Sequence, residues 1–293
     1  MHLETLRIYC DLAELKSFSK TAEKHQVSQS AVSQQLAQLE LQHNCQLVNR
    51  KKRPLELTQQ GQLFYKTCRH MIDSYDNFKS ELNTLKSVGG LRINVAAIFS
   101  IGMHSLPPFI KKFMIRYPDI NVHVEYLESD KIYDLVLTGE VDIGLVAIPK
   151  QDKRLDVYNF QQEPLVLVCS AKHTLAKQSQ ADISQLQFEK FIAFEKTVPT
   201  RVWIDNILHR YNVAIHPVME FDNIETIKRA VEINAGISIL PENSVEQEIA
   251  AGTLKSVRFW NEKFTRPTGI ILRKSKIQTP ASRYFLKLLT EGE

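Results

Sequence analysis

The sequence predicts an α/β protein with an all-helical N-terminal part, a long connecting helix and a larger α/β part. Three observations support this fold class. Apolar residues recur at helical spacing up to about residue 42, a seven-residue apolar repeat runs through residues 64–85, and short apolar runs alternate with amphipathic stretches beyond residue 91. The 293 residues, 43% of them hydrophobic and 24% charged, suffice for two or three folded domains.

The composition narrows the function classes. The formal net charge of +4 is too small to indicate nucleic-acid binding by itself, so any DNA site must depend on local basic residues. Four widely spaced cysteines lack the spacing of a metal site, and we expect them to be reduced, with no metal and no cofactor. The N-terminus lacks the apolar core of a signal peptide, and no stretch of about 18 apolar residues occurs, so we expect a cytoplasmic protein.

Three helices are expected at the N-terminus. The apolar residues between Leu3 and Leu15 recur at three- and four-residue steps, which is typical of an amphipathic helix. Ser19 is placed to cap a second helix, and Ser28 to cap a third that extends to about residue 42.

The outward face of the third helix carries uncharged hydrogen-bonding side chains. Amides and hydroxyls near a helix N-terminus are the groups that read base edges in the major groove of DNA. An ordinary polar surface explains the same helix equally well when it is considered alone. The residues predicted to contact DNA from this helix are Ser28, Gln29, Ser30, Ser33, Gln34 and Gln38.

A basic cluster follows this helix. Two short apolar runs, residues 47–48 and 55–57, flank a basic turn that ends at Pro54, which predicts a β-hairpin. Four consecutive cations in such a turn are suited to holding DNA phosphates, which supply affinity without sequence information. These cations are Arg50, Lys51, Lys52 and Arg53.

These segments resemble the winged helix-turn-helix of the LysR-type transcriptional regulators. The resemblance rests on residues 18–23 and 27–40, and on the basic run followed by Leu-Thr-x-x-Gly at residues 57–61. Val48 stands where the family usually has Phe, and Gln60 where it usually has Ala. The resemblance implies that residues 1–58 form a winged helix-turn-helix that binds double-stranded DNA.

A long helix, residues 59–88, is expected next. Thr58 is placed to cap it, and Gly89-Gly90 stops it. Its apolar seam is narrow because the flanking positions are polar or charged, which favours a helix–helix dimer over packing on its own domain. Such a dimer would present two recognition helices to a pseudo-palindromic operator. The resemblance implies the same dimerising helix, with tetramers in many relatives. The seam consists of Phe64, Cys68, Met71, Tyr75, Phe78, Leu82 and Leu85.

The remaining residues, 89–293, alternate strands and helices. Strands at 91–96, 121–126 and 141–146 enclose helices at 106–117 and 131–138, which predicts a parallel α/β unit. A second unit is predicted from strands at 165–169, 191–194, 218–221 and 237–240 with helices at 200–211 and 224–234; a strand at 268–272 and a helix at 282–289 rejoin the first unit.

This part resembles the periplasmic-binding-protein-like, two-subdomain effector domain of the same family, on residues 139–145, 163–168 and 235–241. Subdomain I is expected at 91–161 and 267–293, and subdomain II at 162–266. With the N-terminus included, the resemblance covers nearly the whole chain.

Ligands of open α/β sheets bind at the carboxyl ends of strands, where helix N-termini face the crevice. Ser100, Thr200 and Arg201 rank first among the candidates and favour a small anion as the effector. Alternatives remain open: Ser100 and Thr200 as plain helix caps, and Arg201 paired with Asp222 or Glu225. His104 is also explained by packing, and Phe221 by a core position. The full set of predicted effector contacts is Ser100, Ile101, Gly102, His104, Ser129, Ala147, Thr200, Arg201, Val202, Phe221 and Asn223.

The function indicated is sequence-specific transcription regulation, with an effector that closes the cleft and RNA polymerase as a further partner. Two other classes have less support. A solute-binding protein is disfavoured by the missing signal peptide and the winged helix. An enzyme is disfavoured because no nucleophile elbow, P-loop, HExxH or dinucleotide fingerprint is found, so no catalytic residue is predicted.

Overall fold

Three helices begin the N-terminal unit: α1 (Leu3–Leu15), α2 (Phe18–Lys24) and α3 (Gln29–Gln42). The computed structural model describes residues 2–49, 52, 54–86, 91–274, 276 and 278–292. It divides into one unit that ends at Leu82 and a second that begins at Asn83.

The caps of these helices are partly as predicted. Ser28 has extended backbone and accepts a hydrogen bond from the Ala31 amide at 3.1 Å, as expected. The cap of α2 is Ser17, which accepts from the Lys20 amide. The prediction of Ser19 was therefore wrong, because the helix begins before it.

The predicted hairpin is confirmed as two short antiparallel strands, β1 (Val48–Asn49) and β2 (Glu56–Leu57), with Val48 opposite Leu57. We call this hairpin the wing. Within its turn, Arg50, Lys51 and Arg53 lie outside the described residues.

The long helix is α4 (Gln59–Lys86), and Thr58 caps it by accepting from the Gly61 amide at 2.9 Å. Position 61 requires glycine because the backbone of Leu47 passes close to it. A Cβ atom at Gly61 would lie 1.9 Å from the carbonyl oxygen of Leu47. Gly89-Gly90, predicted to end the helix, lies outside the described residues.

The apolar seam of α4 is divided between two environments. Cys68 is fully buried in the core of the N-terminal unit, and Phe64 packs on Tyr9 with ring centroids 5.1 Å apart. For these two seam residues the alternative of packing on the helix's own domain is correct, because Ile72 is buried beside them and widens the apolar face. The next three seam residues, Met71, Tyr75 and Phe78, are 46%, 46% and 53% exposed. Leu82 is partly buried, and the side chain of Leu85 lies outside the described part.

The second unit begins with the predicted parallel α/β order. Its elements are β3 (Leu91–Ala97), α5 (Pro107–Arg116), β4 (Ile120–Tyr126), α6 (Ser129–Thr138) and β5 (Ile143–Ala147). The strands lie in the order β4-β3-β5, and a five-residue π-helix, Ile101–Ser105, precedes α5. Apolar residues from β3, β5, α5 and the C-terminal helix form the core of this subdomain.

The second subdomain starts within a strand longer than predicted, β6 (Leu155–Ser170). It continues with β7 (Gln180–Ala181), β8 (Lys190–Phe194), α7 (Pro199–Arg210), β9 (His216–Phe221), α8 (Ile224–Glu232), β10 (Ser238–Pro241), α9 (Glu246–Ala251) and β11 (Leu254–Phe259). The last elements are β12 (Thr265–Arg273) and α10 (Pro280–Glu291).

The long strands β6 and β12 connect the subdomains. They pair antiparallel along their length, with Pro267 opposite Gln162. The C-terminal part of β12 also pairs with β5. The C-terminal part of β6 pairs with β10 and β11. The expected subdomain boundaries, 161/162 and 266/267, fall in the middle of these two strands. None of the helices in the described ranges is long and apolar enough to cross a membrane.

Candidate functional site

The exposed face of α3 carries the predicted DNA-contacting groups. Gln29, Ser30, Gln34 and Gln38 are exposed and Ser33 is partly buried, while Val32, Leu36 and Leu39 are buried on the opposite face. At the start of the helix, the Ser28 and Ser30 hydroxyl oxygens lie 2.8 Å apart. The structure therefore presents these polar groups together, and their contact with DNA remains a prediction.

Lys52 is the described cation of the wing turn. Its Nζ lies 2.6 Å from Glu56 Oε2, and both side chains are about half exposed. An exposed ion pair of this kind contributes at most about 1 kcal/mol, so a DNA phosphate can compete for the lysine.

The second unit contains a cleft between its two subdomains with a volume of about 630 Å³. One wall is formed by residues that follow β3, β4 and β5, and the other by residues that follow β8 and by the N-termini of α7 and α8. These are the carboxyl ends of strands and the amino ends of helices, where α/β proteins bind ligands.

The structure brings five of the eleven predicted effector contacts to this cleft. They are Ser100, Ser129, Ala147, Thr200 and Asn223. Among the described residues, the cleft lining does not include Ile101, Gly102, His104, Arg201, Val202 or Phe221. Ile101 and Gly102 are buried in the π-helix, with the Tyr126 ring against Gly102, while Phe221 packs against the core of the second subdomain.

Arg201 is outside the described lining of the cleft. Its Nε lies 2.9 Å from Asp205 and its Nη1 lies 2.6 Å from Glu220. It therefore pairs with these carboxylates rather than with Asp222 or Glu225, the two partners considered from the sequence. From the sequence, the positive charge of Arg201 favoured an anionic effector. In the structure, Asp205 and Glu220 neutralise this charge.

His104 links the two subdomains. Its Nε2 lies 2.8 Å from Glu225 Oε1, and Lys228 lies 2.9 Å from both Glu225 and Glu248. Burial alone would raise the pKa of Glu225, but hydrogen bonds from Lys228 and His104 outweigh it and lower that pKa. His104 therefore has the packed, paired role that was left open as its alternative.

The most informative residue of the cleft was missed from the sequence. Arg266 is 1% exposed, and its guanidinium reaches both walls: Nη2 donates to Ser100 Oγ and Nη1 to Thr200 Oγ1, each at 2.8 Å. Its Nε donates to Glu163 Oε2 at 2.8 Å. The signal for Arg266 in the sequence was the predicted subdomain boundary at 266/267. A residue at the point where the chain crosses from one subdomain to the other lies at the floor of the cleft.

Glu163 is the buried counter-ion of Arg266. Its other oxygen accepts from Ser105 at 2.6 Å and from Asn243 at 3.1 Å. Burial would raise the pKa of Glu163, but the Arg266 charge and these hydrogen bonds outweigh it and lower the pKa. The pair is therefore ionised at neutral pH and adds no net charge to the cleft floor.

Ser129 is the first residue of α6, and its hydroxyl is buried. Within the described structure this hydroxyl has no hydrogen-bond partner, although the residue lines the cleft. A buried polar group without a partner costs free energy, so its presence beside a cavity points to a ligand or water as its partner.

Comparison with known proteins agrees with both parts of the chain. The family model described as "Bacterial regulatory helix-turn-helix protein, lysR family" matches residues 3–62, and that described as "LysR substrate binding domain" matches residues 88–293. A "Probable RuBisCO transcriptional regulator" of Trieres chinensis is 32% identical over 279 residues, which cover 92% of this chain and 90% of the relative.

Two solved structures share the fold. The regulatory domain of CcmR from Synechocystis PCC6803, in complex with 2-PG, is 26% identical with a TM-score of 0.62, covering 69% of this chain and 96% of that one. Full-length BenM, 21% identical with a TM-score of 0.61, covers 100% of this chain and 96% of its own.

Proposed function

The chain belongs to the LysR family of DNA-binding transcription regulators with an effector-binding domain, and from that premise we propose that a small anion in the cleft controls its DNA binding. The observation that carries the proposal is the set of three cleft hydroxyls, Ser100, Ser129 and Thr200, of which Ser129 lacks any partner in the described structure. Hydroxyl donors beside helix N-termini suit oxygen-rich anions.

The charge of the cleft lining does not supply this preference, because four carboxylates outnumber three cations among the lining residues: Glu128, Asp130, Glu195 and Asp222 against Lys131, Lys150 and Arg266. Among its lining residues, Lys131 lies 3.4 Å from Glu128 and Lys150 lies 3.0 Å from Asp130, so both lysines are paired and exposed. The hydrogen-bond donors therefore contribute more to selecting the anion than the net charge does. The regulatory domain of CcmR binds 2-PG, which makes that compound a suitable first candidate.

On the DNA side, the proposal assigns base contacts to the polar face of α3 and phosphate contacts to the basic turn of the wing. The half-exposed side chains Met71, Tyr75 and Phe78 of α4 supply an apolar surface for a second copy. A symmetric pair would place two recognition helices on a pseudo-palindromic operator, as a dimer or as a tetramer of two dimers.

RNA polymerase is the expected partner at the promoter, and the cytoplasm is the compartment in which we place this DNA-binding protein. Neither a solute-binding role without DNA nor catalysis is part of the proposal.

A thermal-shift screen of the full chain tests the effector. We expect 2-PG, inorganic sulfate or a similar small anion to raise the melting temperature, since a bound ligand stabilises by RT ln(1 + [L]/Kd). Ser129→Ala is expected to reduce this shift while leaving the ligand-free melting temperature unchanged or higher, because the hydroxyl has no partner to lose. Ser238→Ala is the matched control, since Ser238 Oγ is another buried, unpartnered hydroxyl in the described part and lies outside the cleft lining. A screen in which only neutral aromatic compounds shift the melting temperature would contradict the anion.

A further inference from the structure

We propose that Arg266 is a positioning residue that sets the hydrogen-bond polarity of the cleft. It holds Ser100 and Thr200 as donors, so the cleft accepts a group that presents oxygen acceptors and rejects an isosteric group that presents N–H donors. The inference rests on the proposed function, because it concerns a ligand in the same cleft.

The guanidinium of Arg266 is fixed in place. It is buried, and Glu163 Oε2 lies 2.8 Å from Nε and 2.7 Å from Nη2. Glu163 is held in turn by Ser105 and Asn243 through its other oxygen. Since the guanidinium is planar, fixing one edge on the carboxylate fixes the directions of the N–H groups that reach Ser100 and Thr200.

These N–H groups determine which way the two hydroxyls point. A hydroxyl has one hydrogen, and an oxygen that accepts from an N–H group directs that hydrogen elsewhere. Within the described structure, neither Ser100 Oγ nor Thr200 Oγ1 donates to a protein acceptor, and both residues line the cleft. Their hydrogens are therefore available only to the cleft.

Ser129 adds a third donor that Arg266 does not touch. Its hydroxyl is buried on the cleft wall without a partner in the described part of the chain. Two donors set by Arg266 and one free hydroxyl thus face one cavity. A ligand N–H group placed against Ser100 and Thr200 could use only the second lone pair of each oxygen, and it would leave the hydroxyl hydrogens without an acceptor.

The selection works through hydrogen-bond direction rather than charge. Arg266 and Glu163 form a buried ion pair with no net charge, and they are 1% and 2% exposed. Two neutral ligands that differ only in their N–H donor groups should therefore differ in affinity. This difference should be as clear as that between a charged ligand and a neutral one.

Three probes of similar size test this with the full chain: methanesulfonate (anionic, acceptors only), dimethyl sulfone (neutral, acceptors only) and methanesulfonamide (neutral, with the same two sulfonyl acceptors and an NH2 donor group in place of one methyl group). Dissociation constants are measured by ligand-observed NMR through the methyl protons. We expect both acceptor-only probes to bind, and dimethyl sulfone to bind at least tenfold more tightly than methanesulfonamide. Equal binding of the two neutral probes would overturn the role of Arg266.

A double variant and a control test the positioning role of Arg266. Arg266→Met combined with Glu163→Gln removes both charges together with the guanidinium donors, while the amide carbonyl introduced at position 163 can still accept from Ser105 and Asn243. In this double variant we expect the preference for dimethyl sulfone to fall below threefold. Ser238→Ala is the matched control, because it removes a buried, unpartnered hydroxyl outside the cleft lining, leaves Arg266 and Glu163 unchanged and should retain the preference. A double variant that keeps the tenfold preference overturns the inference.

The outcomes distinguish this inference from the proposed function. Failure of methanesulfonate to bind the wild-type chain contradicts the anion site itself, and no binding of any probe contradicts both proposals. Binding of methanesulfonate without separation of the neutral probes contradicts Arg266 alone. Thermal unfolding of each variant is measured first, and if the double variant does not fold, the wild-type comparison of the neutral probes decides.

Discussion

Two substitutions on one helix, Ile72→Ala and Tyr75→Ala, test the division of α4 between core and dimer surface. Ile72 is 3% exposed within the N-terminal core, whereas Tyr75, one turn further along, is 46% exposed. Truncating a buried isoleucine to alanine costs about 2–5 kcal/mol through lost burial and the cavity left behind. Truncating Tyr75 should change the stability of the N-terminal unit by about 0.5 kcal/mol or less, and should instead weaken association of two chains.

Hydrogen exchange measured by mass spectrometry on the full chain reports the first effect. A loss of about 2 kcal/mol speeds exchange through unfolding by roughly 30-fold, so Ile72→Ala should accelerate exchange in α1–α3 by that factor or more. Sedimentation velocity over a range of concentrations reports the second effect. Tyr75→Ala should shift the population toward the monomer at concentrations where the wild type is associated.

The reasoning would be refuted by the reverse pattern. If Tyr75→Ala accelerates exchange in α1–α3 as much as Ile72→Ala does, Tyr75 belongs to the core. If Ile72→Ala dissociates the oligomer without changing that exchange, the first part of α4 faces a partner. Phe78→Ala, on the same exposed stretch, provides a second variant expected to behave like Tyr75→Ala.

Three further predictions concern the N-terminal unit. Gly61→Ala should destabilise it by about 1–3 kcal/mol in denaturant unfolding, because the added methyl group meets a backbone carbonyl 1.9 Å away; unchanged stability would mean that this approach relaxes freely. His25 has a raised pKa, through its hydrogen bond to Asp11 against the opposing effect of burial, so its stabilising contribution is complete below its ordinary value of about 6.5 and is lost as pH rises through the raised pKa. His25→Gln should therefore flatten the pH dependence of unfolding above pH 6, and an unaltered profile would exclude His25 as its source. In fluorescence anisotropy, Gln34→Ala should reduce discrimination between operator and random DNA, whereas Arg53→Ala should weaken both and lower the salt dependence; equal loss on both DNAs for Gln34→Ala would remove its base-reading role.

Much of the fold followed from local patterns. Ser28 could be assigned as a cap because a serine directly before an apolar-periodic run has one strong local use. The wing followed from two apolar runs around a turn that ends at Pro54. In contrast, the first part of β6 was missed because its side chains mix polar and apolar residues without alternation, and its strand character comes from pairing with β12, about a hundred residues away in the sequence.

The site was predictable only in part. Ser100 and Thr200 could be selected because strand ends and helix starts define the rim of an α/β cleft. Arg201 was ranked too high although Asp205 lies four residues further along the predicted helix, a spacing at which side chains pair; its second partner, Glu220 on β9, has no such local signal. Arg266 was missed because neither its burial nor its contact with both walls has a local signature. Both properties follow from two strands that cross the cleft floor side by side.

The position of β12 also determines when the effector-binding domain can fold during synthesis. This strand lies between β5 and β6, although it is made more than a hundred residues after β5 ends at Ala147. Until the ribosome has released residue 273, the facing edges of β5 and β6 have no neighbour and remain open to wrong pairing. The N-terminal unit depends on no such late segment, since its described elements end at α4 and even the contact of Arg7 with Asp76, between α1 and α4, spans only 69 residues. A nascent chain can thus contain a folded DNA-binding unit while its effector-binding domain is still incomplete. Chaperones should therefore be needed most between the synthesis of residue 147 and that of residue 273.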